Sequence, residues 1–174
     1  MHIFLTGDIQ SGKSTIISKV YKHFQGVIGG FSTYFVGERT SAEKKLYMSD
    51  MMNISDISER NTQVVTFFTR GIAQPVPEAF DRFGGEILRK ARISAGLIIM
   101  DECGRLEKDA HVFQQEVLQT LDGNIPVIGV VRKSETGWLD QIRNHPKVEM
   151  ITVTEKNRDE LPTMLIQGER LWKK

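Results

Sequence analysis

The chain alternates short apolar runs with longer segments whose apolar residues recur every three to four positions. The short runs predict strands at residues 2–6, 26–36, 44–50, 61–69, 96–102, 125–131 and 147–153. Helical spacing is found in the segment that contains Ile16, Ile17, Val20, Tyr21 and Phe24, and in residues 77–93, 111–121, 136–145 and about 159–172. Strands that alternate with helices predict an α/β fold with a largely parallel sheet.

Two segments fit this pattern less well. Glycines lie in the centre of the predicted helix 77–93, where they lower helix stability. Residues 37–60 are polar and lack a clear period, which predicts a mobile loop, although 44–50 is apolar enough to pair with 26–36 as a hairpin. Pro162 fits the last helix only within its first turn.

The stretch GDIQSGKST, between the first strand and the first helix, has the spacing of a phosphate-binding loop. Gly7 and Gly12 let the backbone turn its N–H groups inward, and the helix that starts near Lys13 adds the positive end of its dipole. Lys13 is expected to reach the β- and γ-phosphates, Ser14 to hold Mg²⁺, and Thr15 to bond near the α-phosphate. The alternative is a glycine turn that binds no phosphate, followed by a helix that carries a lysine. The predicted phosphate-binding residues are Gly7, Asp8, Ile9, Gln10, Ser11, Gly12, Lys13, Ser14 and Thr15.

Two acids end the apolar run GLIIMDE. Asp101 leaves the carboxyl end of this predicted strand, where ligands bind in open α/β sheets, and it is the expected Mg²⁺ ligand. Glu102 follows it directly and is placed to orient a water for attack on the γ-phosphate, which favours hydrolysis over transfer to a small molecule. The alternative is that both acids only cap the following loop.

Several cations are candidates for stabilising transition-state charge. Arg132 and Lys133 end the strand 125–131, and they would emerge beside the γ-phosphate if that strand neighbours 96–102. A solvated basic pair is the alternative. Arg39 and Arg105 lie on predicted loops and are weaker candidates for the same role, each better explained as a structural or surface residue.

The segment VTEKNRDEL follows the last strand, where a loop commonly covers the nucleotide base. Asn157 and Arg158 are therefore predicted to contact the base. Asn157 is equally well explained as a helix N-cap, with Glu160 completing a capping box.

Composition narrows the function classes. The chain of 174 residues fits one domain spanning 1–174, and its net charge of +1 argues against nucleic acid or a membrane surface as a partner. It has no apolar run near the roughly 20 residues that a membrane helix needs. Cys103 is the one cysteine, which rules out an internal disulfide and fits a reducing cytoplasm, and the histidines lack metal-ligand spacing. Mg²⁺ is the one cofactor expected, because a bound triphosphate needs it.

These segments together resemble the small nucleoside-triphosphatase family known from thermophiles and, in animals, as cancer-related nucleoside-triphosphatase. The likeness lies in IFLTGDIQSGKST, GGFSTYF, LIIMDECGRLE, PVIGVVRK and VTEKNRDEL. It implies a RecA-like P-loop fold of the additional-strand, catalytic-glutamate type, slow Mg²⁺-dependent hydrolysis of several nucleoside triphosphates, and a water-orienting role for Glu102. The family's acid and arginine after GF-x-T are replaced here by Phe35 and Gly37, as in a divergent, bacterial-type branch.

Three functions remain open from the sequence. The first is hydrolysis of a nucleoside triphosphate such as ATP or GTP. The second is a nucleotide or small-molecule kinase with the same loop, and the third is a switch that binds a partner and resets by slow hydrolysis.

Overall fold

The structure, a computed structural model, describes residues 1–36, 44–52, 61–67, 72–133 and 137–168. Within these ranges, strands form one eight-stranded sheet in the order β5-β4-β3-β2-β6-β7-β1-β8. The strands are β1 His2–Thr6, β2 Ile28–Val36, β3 Lys44–Asp50, β4 Asn61–Phe67, β5 Ala73–Pro75, β6 Leu97–Cys103, β7 Val127–Val131 and β8 Val148–Thr152.

The sheet has a parallel part and an antiparallel part. Strands β2, β6, β7, β1 and β8 are parallel neighbours, which confirms the α/β prediction. Strands β3, β4 and β5 extend the β2 side with antiparallel pairing. The predicted hairpin of 44–50 with 26–36 is confirmed, while the rest of the supposed mobile loop, residues 37–43 and 53–60, lies largely outside the described residues. The three-residue strand β5 was not predicted.

Strand β7 lies between β1 and β6. Its register pairs Gly129 with Phe4 on one side and with Met100 on the other. This inserted strand is the arrangement that the additional-strand prediction requires. Because the three strands are parallel, the residues after Thr6, Met100 and Val131 emerge together at one edge of the sheet.

Helices cover both faces of the sheet. They are α1 Lys13–Tyr21, α2 Pro77–Ala79, α3 Gly85–Ser94, α4 His111–Asp122, α5 Trp138–Arg143 and α6 Leu161–Gln167. A π-helical turn, Phe80–Gly84, joins α2 to α3, and a 3₁₀ turn, Arg105–Glu107, follows β6. Pro162 lies in the first turn of α6, as expected. None of the helices in the described ranges combines the length and apolar character needed to cross a bilayer.

The glycines inside the predicted helix 77–93 have a packing explanation. A Cβ atom at Gly84 would lie 2.6 Å from the Phe113 ring, which a real side chain could not tolerate. Gly84 therefore lets the π-helical turn approach α4, and Phe113 in turn stacks edge-on against Phe31 of β2. The helix survives its glycines because tertiary packing outweighs local propensity.

The core has two layers, one on each face of the sheet. Successive residues of β1 point to opposite faces, so Phe4 joins the cluster under α3, α4 and α5, while Ile3 and Leu5 join the cluster under α1 and α6. Ile16 and Ile17 anchor α1 in the second cluster. This packing holds the start of α1 against the sheet edge where the candidate site lies.

Candidate active site

The loop before α1 has the backbone of a phosphate cradle. Gly7 and Gly12 have φ values of 142° and 98°, and Gln10, with φ 63°, is left-handed despite its side chain. A Cβ atom at Gly7 would lie 2.6 Å from the Val153 carbonyl oxygen, so glycine also permits the close approach to the chain after β8. Left-handed positions of this kind occur in loops whose successive N–H groups form an anion-binding concavity.

Lys13 lies at the first position of α1 and is largely buried. Its ammonium group donates to the Asp8 carbonyl at 2.7 Å, to the Gly7 carbonyl at 3.1 Å and to Ser11 Oγ at 3.3 Å. Burial lowers the pKa of Lys13 below its ordinary value, and the carboxylates of Glu102 and Asp101 oppose that shift. The cation is thus held inside the loop, at the place where phosphate charge would need it.

Asp101 and Ser14 meet across the site although 87 residues separate them. The Ser14 hydroxyl donates to Asp101 Oδ1 at 3.2 Å, and the Asp101 carbonyl accepts from Thr33 Oγ1 at 3.3 Å. Burial raises the pKa of the Asp101 carboxyl to about 6, and the hydrogen bond from Ser14 opposes this rise. The predicted pair of oxygen donors is therefore assembled in one place.

Glu102 and Arg132 form an ion pair next to Asp101. Arg132 Nε donates to Glu102 Oε1 at 2.5 Å. The two residues meet because β7, which Arg132 directly follows, lies beside β6, which contains Glu102. Lys133 pairs instead with Asp8 of the phosphate loop at 3.1 Å. Arg132 and Lys133, the two cations that were expected beside the γ-phosphate, both line the cavity in front of the loop, and each forms an ion pair with a different carboxylate.

Three neighbouring cavities meet around these residues. The largest, of about 590 Å³, is lined by the loop from Gly7 to Thr15 together with Glu102, Arg132 and Lys133. A cavity of about 300 Å³ adjoins the largest one at the loop and extends to residues 152–155 and Arg158. A smaller one, of about 160 Å³, is lined by Asp101, Glu102, Arg105 and Phe35 among others. Arg39 lies outside the described residues.

Two oxygen-bearing side chains at the site suit a magnesium ion. Ser14 and Asp101 offer two oxygen ligands of the kind Mg²⁺ prefers, already within hydrogen-bond distance of each other. In the part of the chain that the structure describes, no group of three or more His, Cys, Asp or Glu side chains could hold a metal. The residues therefore fit an ion that keeps several waters and takes its other ligands from a substrate phosphate.

Comparison with known proteins decides the family. A family model described as NTPase matches residues 2–166. The chain belongs to the NTPase family. Membership confirms the family resemblance and the enzyme class predicted from the sequence, a nucleoside-triphosphate phosphohydrolase.

Individual members of the NTPase family are similar over nearly the whole chain. The nucleoside-triphosphatase THEP1 of Methanosarcina barkeri is 29% identical, over 93% of each chain. The crystal structure of THEP1 from Aquifex aeolicus has a TM-score of 0.71 at 23% identity and covers 94% of this chain and 95% of its own. The solution structure of a human cancer-related nucleoside triphosphatase has a TM-score of 0.74 at 24% identity and covers 99% of each chain. The two structures establish the shared fold.

Asn157 does not cap a helix in this NTPase-family fold. Helix α6 begins at Leu161, with Glu160 as its N-cap, so the predicted capping box of Asn157 and Glu160 is wrong. The Asn157 amide instead donates to the Thr152 carbonyl at 2.9 Å and accepts from the Thr154 N–H at 2.8 Å. These two hydrogen bonds stabilise the loop after β8. Arg158, the next residue, lines the cavity of about 300 Å³.

Three groups at the site were missed by the sequence reasoning. Thr33 contacts the Asp101 carbonyl, and Glu107 and Trp138 both bond to Gly104. Glu107 is only 3% exposed, and burial raises the pKa of its carboxyl to about 7 against the opposing Gly104 hydrogen bond. Glu107 ends the run LIIMDECGRLE that carries the family resemblance but gave no periodic signal of its own, and no motif pointed to Trp138, which is 8% exposed.

Proposed function

We propose that this protein hydrolyses nucleoside triphosphates, the reaction for which its relatives are named, and that it does so with Mg²⁺ to give the diphosphate and inorganic phosphate. The observation that carries the proposal is the place of Glu102. Its carboxylate lines the same cavity as the phosphate loop and follows a buried aspartate in the chain. A carboxylate in that position can orient and deprotonate water beside a terminal phosphate.

The loop is the binding element in this proposal. Its inward N–H groups and the N-terminal end of the nine-residue helix α1 attract phosphate oxygens. The Lys13 ammonium, which touches two loop carbonyls, is placed to bond the β- and γ-phosphates. Ser14 and Asp101 would hold Mg²⁺, which when bound neutralises charge on the phosphate oxygens.

Glu102 and Arg132 divide the chemical work. The water oxygen forms the new bond to the γ-phosphorus as its proton passes to Glu102, and the bond to the bridging oxygen breaks to release the diphosphate. Arg132 would exchange its contact with Glu102 for the γ-phosphate, which both stabilises the negative charge and frees the carboxylate for water. Their 2.5 Å contact supports this division, because it keeps the cation beside the proposed water-orienting carboxylate in the cavity that the loop lines.

The base end of the substrate is assigned to the cavity beyond the loop. Arg158 and residues 152–155 line that space of about 300 Å³, which shares Gly7, Asp8 and Lys133 with the largest cavity but is not lined by Glu102. Asn157 supports this surface from within the loop, through its bonds to Thr152 and Thr154.

The variant Glu102→Gln tests the proposal. Purified protein with Mg²⁺ and a panel of nucleoside triphosphates should release phosphate, and Glu102→Gln should reduce kcat by about 100-fold or more while nucleotide affinity stays within about threefold. Glu78→Gln, on the exposed first turn of α2, is the matched control and should keep full turnover. A wild-type protein that binds nucleotide without releasing phosphate would refute the proposal, as would a fully active Glu102→Gln.

A further inference from the structure

Gly104 is held on both sides of its backbone. Its N–H donates to Glu107 Oε2 at 2.8 Å, and its carbonyl oxygen accepts from Trp138 Nε1 at 3.0 Å. Glu107 belongs to the 3₁₀ turn after β6, and Trp138 is the first residue of α5. The Gly104 clamp, defined as Gly104, Glu107 and Trp138, thus joins two elements through buried hydrogen bonds.

The clamp lies directly beneath the Glu102–Arg132 pair. Gly104 follows Glu102 by two residues, and a Cβ atom at Gly104 would lie 3.5 Å from Arg132 Cδ, so the arginine side chain passes over this glycine. The Arg132 N–H also donates to the Cys103 carbonyl at 3.1 Å. A shift of Gly104 would therefore move the surface on which Arg132 rests and the end of the strand that carries Glu102.

Packing does not explain why a glutamate occupies this position. Glu107 is only 3% exposed, and a buried carboxyl group costs stability that an apolar side chain of similar size would avoid. Its carboxyl group instead accepts hydrogen bonds from the Gly104 N–H, two residues from Glu102, and from its own backbone N–H, and the first of these caps the 3₁₀ turn. The bond to Gly104 holds the backbone between Glu102 and the 3₁₀ turn, which a positioning role requires.

We infer that Glu107 is a positioning residue for hydrolysis, which, together with Trp138, fixes Gly104 and thereby the aim of Glu102 and Arg132. This inference rests on the proposed function. Glu107 touches neither water nor phosphate in this role. A displacement of about 1 Å in a reacting group is enough to cost a large factor in rate.

Two variants of Glu107 separate positioning from charge. Glu107→Ala removes the acceptor and should lower kcat by roughly 10-fold to 100-fold with KM within about threefold. Glu107→Gln keeps an oxygen for the Gly104 N–H and should retain kcat within about threefold of the wild type. Trp138→Phe removes the other hydrogen bond to Gly104. It should also lower kcat while KM changes little.

Glu116→Ala is the matched control. Glu116 is another buried carboxylate, 8% exposed, but it pairs with Arg89 and Arg92 between α3 and α4, away from the three cavities. It should lose thermal stability while kcat, measured well below the unfolding midpoint, stays at the wild-type value. If Glu107→Ala also loses only stability, the positioning role is overturned.

The same assay keeps the two proposals apart. Wild-type turnover with an unaffected Glu107→Ala refutes the clamp alone, whereas absent wild-type turnover refutes the proposed hydrolysis. In that second case a crystal structure of Glu107→Ala decides: an unchanged Arg132–Glu102 contact overturns the inference, and a displaced one supports it. Should Glu107→Ala fail to fold, Glu107→Gln and Trp138→Phe give the same decision, because the inference requires the first to be active and the second to be slow.

Discussion

The guanidinium of Arg132 contacts the carboxylate of Glu102 at 2.5 Å, where β7 and β6 end side by side. The two side chains are 44% and 31% exposed, so the pair adds little to the stability of the fold. An ion pair that contributes little free energy can be replaced by a contact with another charged group at little cost. A γ-phosphate carries more charge than one carboxylate, and it is therefore the stronger partner for Arg132 once a nucleotide is bound.

Replacement of Arg132 should separate binding from catalysis. Arg132→Ala removes the charge that opposes the developing negative charge, and we expect kcat to fall by about 100-fold or more with nucleotide affinity within about tenfold. Arg132→Lys should recover only part of the rate, because a lysine provides a point charge in place of the planar guanidinium. Steady-state phosphate release and calorimetric titration measure the two quantities.

Arg158 provides the contrast for that experiment. It lines the cavity assigned to the base, and Arg158→Ala should raise KM by about threefold to tenfold with kcat nearly unchanged. If both arginine variants changed kcat and KM alike, the division of the site into a reacting end and a base end would be wrong.

Lys13 is predicted to decide triphosphate affinity. Lys13→Ala removes an ammonium group held within the loop, and a lost charge-assisted hydrogen bond of about 1.5–3 kcal/mol corresponds to roughly 10-fold to 150-fold weaker binding. Lys19→Ala, an exposed lysine on the same helix, is the control and should bind like the wild type. Unchanged affinity of Lys13→Ala in calorimetry would refute the phosphate-loop assignment.

The sequence predicted those parts of the fold and site that leave a local pattern. Gly7, Gly12 and Lys13 stand at fixed spacing, and Asp101 ends an apolar strand, so the loop and its facing acid were recognisable without coordinates. The contact of Arg132 with Glu102 depends on β7 lying beside β6. Strand order is a long-range property, so from the sequence the position of Arg132 could be predicted only on the condition that these strands are neighbours.

Other features were invisible because tertiary packing creates them. Glu107 ends the run LIIMDECGRLE that carries the family resemblance, but the run does not show that this acid is buried. Its burial follows from the 3₁₀ turn that folds it back onto Gly104. The N-cap alternative for Asn157 is wrong for a similar reason, since its side chain bonds to its own loop and helix α6 begins at Leu161.

Gly84 gives a test of the packing argument. Gly84→Ala would force a methyl group to within 2.6 Å of the Phe113 ring, and we expect the free energy of unfolding to fall by about 1–3 kcal/mol. Gly85→Ala is a matched control one residue away, where a Cβ atom would meet nothing closer than 3.5 Å. That variant should be neutral or more stable by up to about 1 kcal/mol, because alanine favours a helix. Equal effects in urea unfolding would show that propensity and not packing governs this turn.

His2 should make the fold sensitive to acid. Its Nε2 lies 2.8 Å from the Leu121 carbonyl, and its Nδ1 accepts from the Val127 N–H at 3.2 Å, so the buried ring is in its neutral form. Burial lowers the pKa of His2 from 6.5 to about 4. The unfolded chain therefore binds a proton between these values that the folded chain excludes, and stability from His2 is complete above pH 6.5 and is lost as the pH falls toward 4.

The expected loss from His2 is roughly 3 kcal/mol over that range. The raised pKa values of Asp101 and Glu107 act in the opposite direction, since those folded-state carboxyls take up protons more readily than unfolded ones. The comparison must therefore be made between variants. Urea unfolding of wild type and His2→Gln at several pH values should show a steeper acid loss in the wild type, whereas His23→Gln, an exposed histidine after α1, should follow the wild-type curve. Parallel curves for wild type and His2→Gln would mean that the His2 ring is not held neutral by the fold.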